Sequence, residues 1–268
     1  MSRLLAYRGE GVEEPLASHL AEVGYHAYIL ASKREATVRL AALLAGLLHD
    51  IGKALDMYQD CMLKTEKGCS YLAHEIFSAI MSAEILGNLP EDIPLEARCY
   101  ALQAILFHHQ ALGNPLNRIG ELAKRLARQK TRATFSGKRA KQLTAELLEA
   151  VSLLEQRQAI PQNILETIRA TVQNIDWNRV AVNINSLLEA GIATITRLAQ
   201  QQLEEARKPF KKLLEETKTI FSSKLVTGVL IMADIYTAGK RRAKEKQPLH
   251  KHLEKYIKHL HTQCTRPP

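Results

Sequence analysis

Apolar residues recur along this chain at the three-and-four spacing of an amphipathic helix almost from end to end, and no convincing stretch alternates as a half-buried strand would. The pattern predicts an all-α fold. Pro15 suits the first turn of a helix running to about Leu30, with His19, Val23, His26 and Leu30 on one face. A second helix, from about Glu35 to Asp50, is apolar on most sides and belongs at the centre of a bundle; Gly52 breaks it. A third is expected from about Tyr71 to Leu86, capped by Ser70 and closed by Gly87-Asn88. A fourth opens at Pro94, reaches His108-His109 and stops near Gly113. Further helices are expected at about 139–158, 162–173, 179–206 and 218–238, then a basic amphipathic one from about Leu249 to Leu260. No repeat, low-complexity linker or composition shift divides the chain. It reads as a single domain over 1–268, with a basic helical insertion at about 114–217.

Certain polar residues break this apolar pattern. His49-Asp50 ends the run Val38-Arg39-Leu40-Ala41-Ala42-Leu43-Leu44-Ala45-Gly46-Leu47-Leu48. A histidine and a carboxylate are costly in such a place unless they are hydrogen-bonded, paired or bound to a metal. Other apolar stretches carry His19, His74, the pair His108-His109 and Asp234. Asp234 follows Leu225-Val226-Thr227-Gly228-Val229-Leu230-Ile231-Met232-Ala233, and Lys240 and Arg241 lie beyond the reach of an i,i+4 pair. Imidazole with carboxylate is the ligand set of a divalent transition metal, and a helical protein gathers such ligands from several helices. The pattern points to a metal-dependent hydrolase. No glycine-rich phosphate loop, nucleophile elbow or dinucleotide-binding loop offers another engine.

Composition bounds this reading. The 268 residues carry a net charge of +9, which suits a polyanionic partner, and aromatics make up only 5%. Lys124, Arg125, Arg128, Lys130, Arg132, Lys138, Arg139 and Lys141 occur without an intervening acid, and Lys240, Arg241, Arg242, Lys244 and Lys246 follow closely on Asp234. Of these, Lys124, Arg125, Arg128, Lys240, Arg241 and Arg242 are the candidate nucleic-acid contacts, binding backbone rather than stacking bases. Cys61, Cys69, Cys99 and Cys264 form no CxxC pair and read as reduced thiols. No apolar stretch reaches a membrane span and the N-terminus lacks a signal-peptide core, so a soluble cytoplasmic protein is expected, with no membrane partner.

His49-Asp50-Ile51-Gly52-Lys53 resembles the signature of the HD superfamily of metal-dependent phosphohydrolases. That resemblance implies a helical bundle in which the doublet binds metal, other helices supply histidines and a late aspartate closes the shell. His19, His49, Asp50 and Asp234 would hold one ion; His74, His108 and His109, with Asp50 bridging, would hold a second. Asp50 and Lys53 would be catalytic, Lys53 on a phosphate oxygen. Ser78, one turn after His74, could hydrogen-bond near the site. His26 reads as core or supporting, and His250, His252, His259 and His261 as a solvated face. Within the superfamily, Ser18-His19-Leu20, the doublet with Ala54, His74 with Ser78, His108-His109 and Ala233-Asp234 are most similar to the stand-alone HD nuclease of type I CRISPR systems. This implies cleavage of single-stranded DNA with two ions (Mn, Ni, Co, Fe or Mg), alongside a separate helicase and an RNA-guided surveillance complex. A phosphohydrolase of nucleotides or cyclic dinucleotides is the enzymatic alternative, though Gln110-Ala111-Leu112-Gly113 stands where cyclic-dinucleotide members carry Gly-Tyr-Pro. A non-catalytic nucleic-acid-binding subunit would explain the charge but not the ligand set.

Overall fold

The structure, a computed structural model, describes residues 3–9, 11–64, 69–109, 112–129, 134–242, 254–257 and 259–260. A β-hairpin, β1 (Leu5–Gly9) and β2 (Val12–Pro15), leads into a series of helices. These are α1 (Leu16–Leu30), α2 (Ala36–Leu48), α3 (Asp56–Lys64), α4 (His74–Gly87), α5 (Leu95–Phe107) and α6 (Pro115–Gln129). They continue with α7 (Gly137–Glu155), α8 (Gln162–Gln173), α9 (Trp177–Glu189), α10 (Ile192–Arg207), α11 (Lys211–Leu214) and α12 (Thr217–Arg242). A 3-10 turn at Ile51–Ala54 joins α2 to α3. Among the described residues the fold is all-α apart from the hairpin.

α2 lies at the centre, as its apolar circumference requires. It packs against α1, α5 and α12, and every residue from Leu40 to Leu48 is buried. Where α1 and α2 cross, a Cβ on Gly46 would stand 2.6 Å from the Gly24 Cα, so the approach needs a residue without a side chain. α7 packs on α1 and α8, and α6 on α10 and α4, so the basic region shares one hydrophobic core with the rest. Glu146 of α7 accepts the Leu4 and Ala17 backbone N–H groups at 2.8 and 2.9 Å, pinning the hairpin and the free start of α1.

Five expectations are corrected. The hairpin contradicts the reading of no strands: its strands are too short to show alternation, and Gly11 turns the chain at φ +78°. The helix expected over 179–206 is two, because Ala190 is extended and Gly191 caps a new start. α4 begins at His74, not after Ser70; its N-cap, Ala73, sits in the left-handed region at φ 65° without a side-chain cap. Cys61 and Cys69 are not free thiols but form a disulfide, since α3 lies beside the approach to α4 with the two Cα atoms 5.9 Å apart. Cys99 is free and buried, and Cys264 lies outside the described residues. The expectation that no stretch is apolar enough to span a membrane is also corrected: α12 is long and apolar enough over Thr217–Lys240, because Ala, Gly and Thr fill the gaps between its larger apolar residues. It packs on α1, α2 and α5 as a core helix does.

Candidate metal centre

Helix ends aim three of the histidines. His49 and His108 occupy the C-caps of α2 and α5, where carbonyls lack intrahelical partners. The Nδ1–H of His49 donates to Gly46 O at 2.9 Å, and that of His108 to Ile105 O at 2.6 Å. His74, at the start of α4, donates from Nδ1 to Tyr71 O at 2.6 Å. His19 reaches Glu14 Oε1 at 2.9 Å through Nδ1; Glu14 stands on β2, so the hairpin carries this carboxylate beneath the imidazole. In a neutral ring, fixing Nδ1 as donor leaves Nε2 as the lone-pair nitrogen, the arrangement in which a histidine is presented to a metal; His19, held charged by its carboxylates, would give up its Nε2 proton to an ion.

The inward faces form two adjoining groups. His19, His49 and Asp234 offer ligand atoms within 4.8 Å of one another, and so do His74, His108 and His109. In the first, Asp234 Oδ1 lies 3.4 Å from His19 Nε2 and 3.9 Å from His49 Nε2. In the second, the Nε2 atoms of His74 and His109 are 3.2 Å apart. Asp50 stands between them. Its Oδ2 lies 3.2 Å from His19 Nε2 and 3.5 Å from His49 Nε2, while its Oδ1 lies 3.0 Å from His74 Nε2. The Nε2 atoms of His19, His49 and His108 are buried without a partner in hydrogen-bond geometry. Such atoms are costly unless a ligand uses them, and imidazole nitrogen with carboxylate oxygen fits a divalent transition ion.

Burial and charge divide the protonation states. Burial lowers the pKa of His49 despite the Asp50 and Asp234 charges, and lowers His108 well below the usual range, helped by the neighbouring imidazoles. Burial and His74 bring His109 down to about 3. His19 behaves oppositely: burial opposes its charge, but the Asp234, Asp50 and Glu14 carboxylates carry it to about 10. Burial works against ionised Asp50 too, yet Lys53, His49 and the other histidines hold its carboxyl well below the usual range; His19 and His49 do the same for Asp234. Without an ion, the Asp50 and Asp234 carboxylates are thus balanced by Lys53 and a protonated His19, while His49, His108 and His109 are neutral.

The residues after the doublet build the wall. A Cβ on Gly52 would meet His74 O at 2.3 Å and Ser78 N at 2.6 Å, so only glycine lets the 3-10 turn touch α4. Ser78 is buried and accepts the Gly52 N–H at 2.9 Å, which ties the doublet to the helix carrying His74. Lys53 is buried rather than solvated: Nζ lies 2.6 Å from Asp50 Oδ2 and 4.8 Å above the Tyr71 ring. His26 supports α12, with Nδ1 3.0 Å from Thr237 Oγ1.

A family model for the HD domain matches residues 16–173, more than half of the chain. The chain belongs to the HD domain family. Membership brings metal-dependent phosphohydrolase activity, and the His-Asp doublet with its histidines falls inside the match. Asp234 lies beyond it but completes the first group in space. No curated protein and no solved structure matches the chain.

All seven sequence-derived metal candidates (His19, His49, Asp50, His74, His108, His109 and Asp234) therefore converge. The basic candidates scatter more widely. Lys124, Arg125 and Arg128 are exposed on α6, and Lys240 is half-exposed with Nζ 3.8 Å from Glu22. The side chains of Arg241 and Arg242 lie outside the described residues, as do Gln110, Ala111, Lys130, Arg132, Lys244, Lys246, His250, His252 and His261. Arg139 is no surface charge: it is buried and pairs with Asp56 and Asp60 of α3 at 3.0 and 2.9 Å. Sequence reasoning missed Glu14, Tyr71 and the buried Glu75–Arg118 pair, 2.8 Å apart, which joins α6 to the helix of His74. An acid immediately before the proline that opens α1 was the available signal for Glu14.

Proposed function

We propose that this HD domain protein is a metal-dependent nuclease that cleaves phosphodiester bonds of single-stranded DNA in CRISPR interference, acting with a separate helicase and an RNA-guided surveillance complex. The observation that carries this reading is the division of Asp50 between two donor groups, one oxygen toward each. His19, His49, Asp50 and Asp234 would hold one ion and His74, His108 and His109, with Asp50, a second. A pair of divalent ions supplies Lewis-acid chemistry, activating water and neutralising charge at phosphorus. The chain's residues set the stage for it. Asp50 orients both halves of the site, and the Nδ1 contacts of His19, His49, His74 and His108 keep their rings from rotating. Lys53, 2.6 Å from Asp50, would supply a cation to a phosphate oxygen bound at this site. Lys124, Arg125 and Arg128 offer exposed charge to the strand, and Arg125 is close enough to Tyr58 to influence its phenol.

Purified protein with Mn²⁺ is expected to degrade circular single-stranded DNA, a chelator to stop it, and Asp50→Ala to abolish cleavage while DNA binding survives. Hydrolysis of mononucleotides or cyclic dinucleotides with DNA left intact would overturn the nuclease reading within the same family. Binding of DNA without any hydrolysis would reduce the chain to a binding subunit.

A further inference from the structure

The only tryptophan of the chain sits in the wall of a cavity of about 770 Å³ between the starts of α7 and α9. The cavity is lined by Lys138 and Lys141 on α7 and by Asp176, Trp177 and Asn178 at the start of α9, where the Asp176 carboxylate is engaged as the helix cap, accepting the Asn178 and Arg179 N–H groups. Both lysines and Asn178 are exposed, whereas the Trp177 Nε1 is buried without a hydrogen-bond partner. The indole meets Phe135 edge-on, with ring centroids 6.3 Å apart. This wall is held from behind. Asp56 of α3 accepts the Ser136 N–H at 3.0 Å and the Thr134 hydroxyl at 2.9 Å, while Arg139 pairs with Asp56 and Asp60. Phe135 N–H donates to Asn185 in the second half of α9 at 2.7 Å, which ties the approach to α7 to the body of α9.

We propose that this cavity is a subsite for one nucleotide of a single-stranded polynucleotide. The unpaired base stacks on the Trp177 indole, the Asn178 amide faces the base edge, and the flanking phosphates lie against Lys138 and Lys141. An aromatic face with two cations beside it is the combination that single-strand binders use, because every base has a π-face and every linkage a negative charge. A duplex cannot enter in this way, since its bases are already stacked. The anchor to Asp56, six residues after Asp50, couples the subsite to the segment that leaves the metal centre. The proposal does not depend on the nuclease reading, because binding is measured with no turnover.

The test uses the full-length protein in chelator, with Trp177 as its own reporter. Adding short oligo(dT) or oligo(U) is expected to quench the fluorescence saturably, and the tighter of the two names the strand this subsite serves. Lys138→Glu/Lys141→Glu, which alters only exposed side chains, is expected to weaken labelled-oligonucleotide binding by about tenfold or more, a stacking-plus-phosphate effect of ordinary size. Trp177→Phe should retain most affinity, and Trp177→Ala should lose about as much as the lysine pair. Labelled oligonucleotide that binds without quenching the tryptophan would overturn the proposal. So would quenching untouched by the lysine changes, or equal competition by blunt duplex.

Discussion

The two donor groups of the metal centre touch through Asp50 but are built on opposite electrostatic plans. The His19 group is rich in acid: Glu14 lies beneath the ring, Asp50 and Asp234 beside it, and together they pull His19 up to about 10. The His74 group is almost all imidazole, and burial drives His108 and His109 down. The first attracts any cation by charge. The second offers imidazole nitrogens and one carboxylate oxygen, so it selects by ligand type and depends on Asp50 for its anionic donor. Were each group to take an ion, the two would be bound unequally, with Asp50 shared by both.

The largest effect should follow from removing that residue. Asp50→Ala deprives each group of an oxygen and leaves Lys53 without its partner. Titration with Mn²⁺ is expected to show both binding phases abolished, and hydrolysis to fall by about 10³-fold or more, the scale of a central electrostatic group. Retention of one phase at native strength would show that the groups do not share this carboxylate.

Gly52→Ala comes next, and it strikes chiefly the second group. The added methyl would press on His74 O and Ser78 N, which are backbone and cannot rotate away. Overpacking of this kind costs about 1–3 kcal/mol, so a lower thermal midpoint is expected together with weaker binding at the His74 group. The His19 group, on α1, α2 and α12, should keep its ion. An unchanged second phase would mean that the 3-10 turn does not position α4.

Smaller still, and falling on the other group, is Glu14→Gln. An outer partner of a metal-binding histidine is commonly worth about 10–100-fold in metal affinity. Here the loss should fall only on the His19 group, since Glu14 contacts His19 and none of the second set. His109→Ala provides the mirror image, weakening the second phase and sparing the first. If both variants weakened the same phase, the division into two groups would fail.

These contrasts also mark what the sequence could and could not disclose. His49-Asp50, the tandem histidines and Asp234 were legible because an apolar helix makes each polar group conspicuous, and the cost of burying it demands a partner. The central place of α2 was legible for the same reason. Interactions made through backbone or by remote packing left no such mark. Tyr71 acts on His74 through its carbonyl, and any residue has a carbonyl. Gly52 reads as a helix breaker, yet its main service is to let two elements touch. Cys61 and Cys69 show no recognisable spacing because α3 and the approach to α4 meet only in the folded chain. Arg139 stood in a run of basic residues, and only the placement of Asp56 and Asp60 reveals that it is structural.

The smallest expected effect concerns the exposed charges of α6, which lie outside both groups. Arg118 of the same helix is tied to Glu75 beside His74, so α6 is fixed against the second group rather than the first. Lys124, Arg125 and Arg128 are exposed to solvent. Replacing all three by Ala removes no metal donor, so both Mn²⁺ phases should survive. What should change is the salt dependence of strand binding. Its slope falls by about 0.7 for each single-strand phosphate that is no longer neutralised, up to about 2 for the triple variant. In turnover the change should appear as a raised KM at low occupancy with kcat nearly intact, because phosphate interactions of this kind bind ground and transition states alike. A kcat decrease comparable to that of Gly52→Ala would instead place these side chains at the reacting phosphate and tie α6 to the chemistry of the second group.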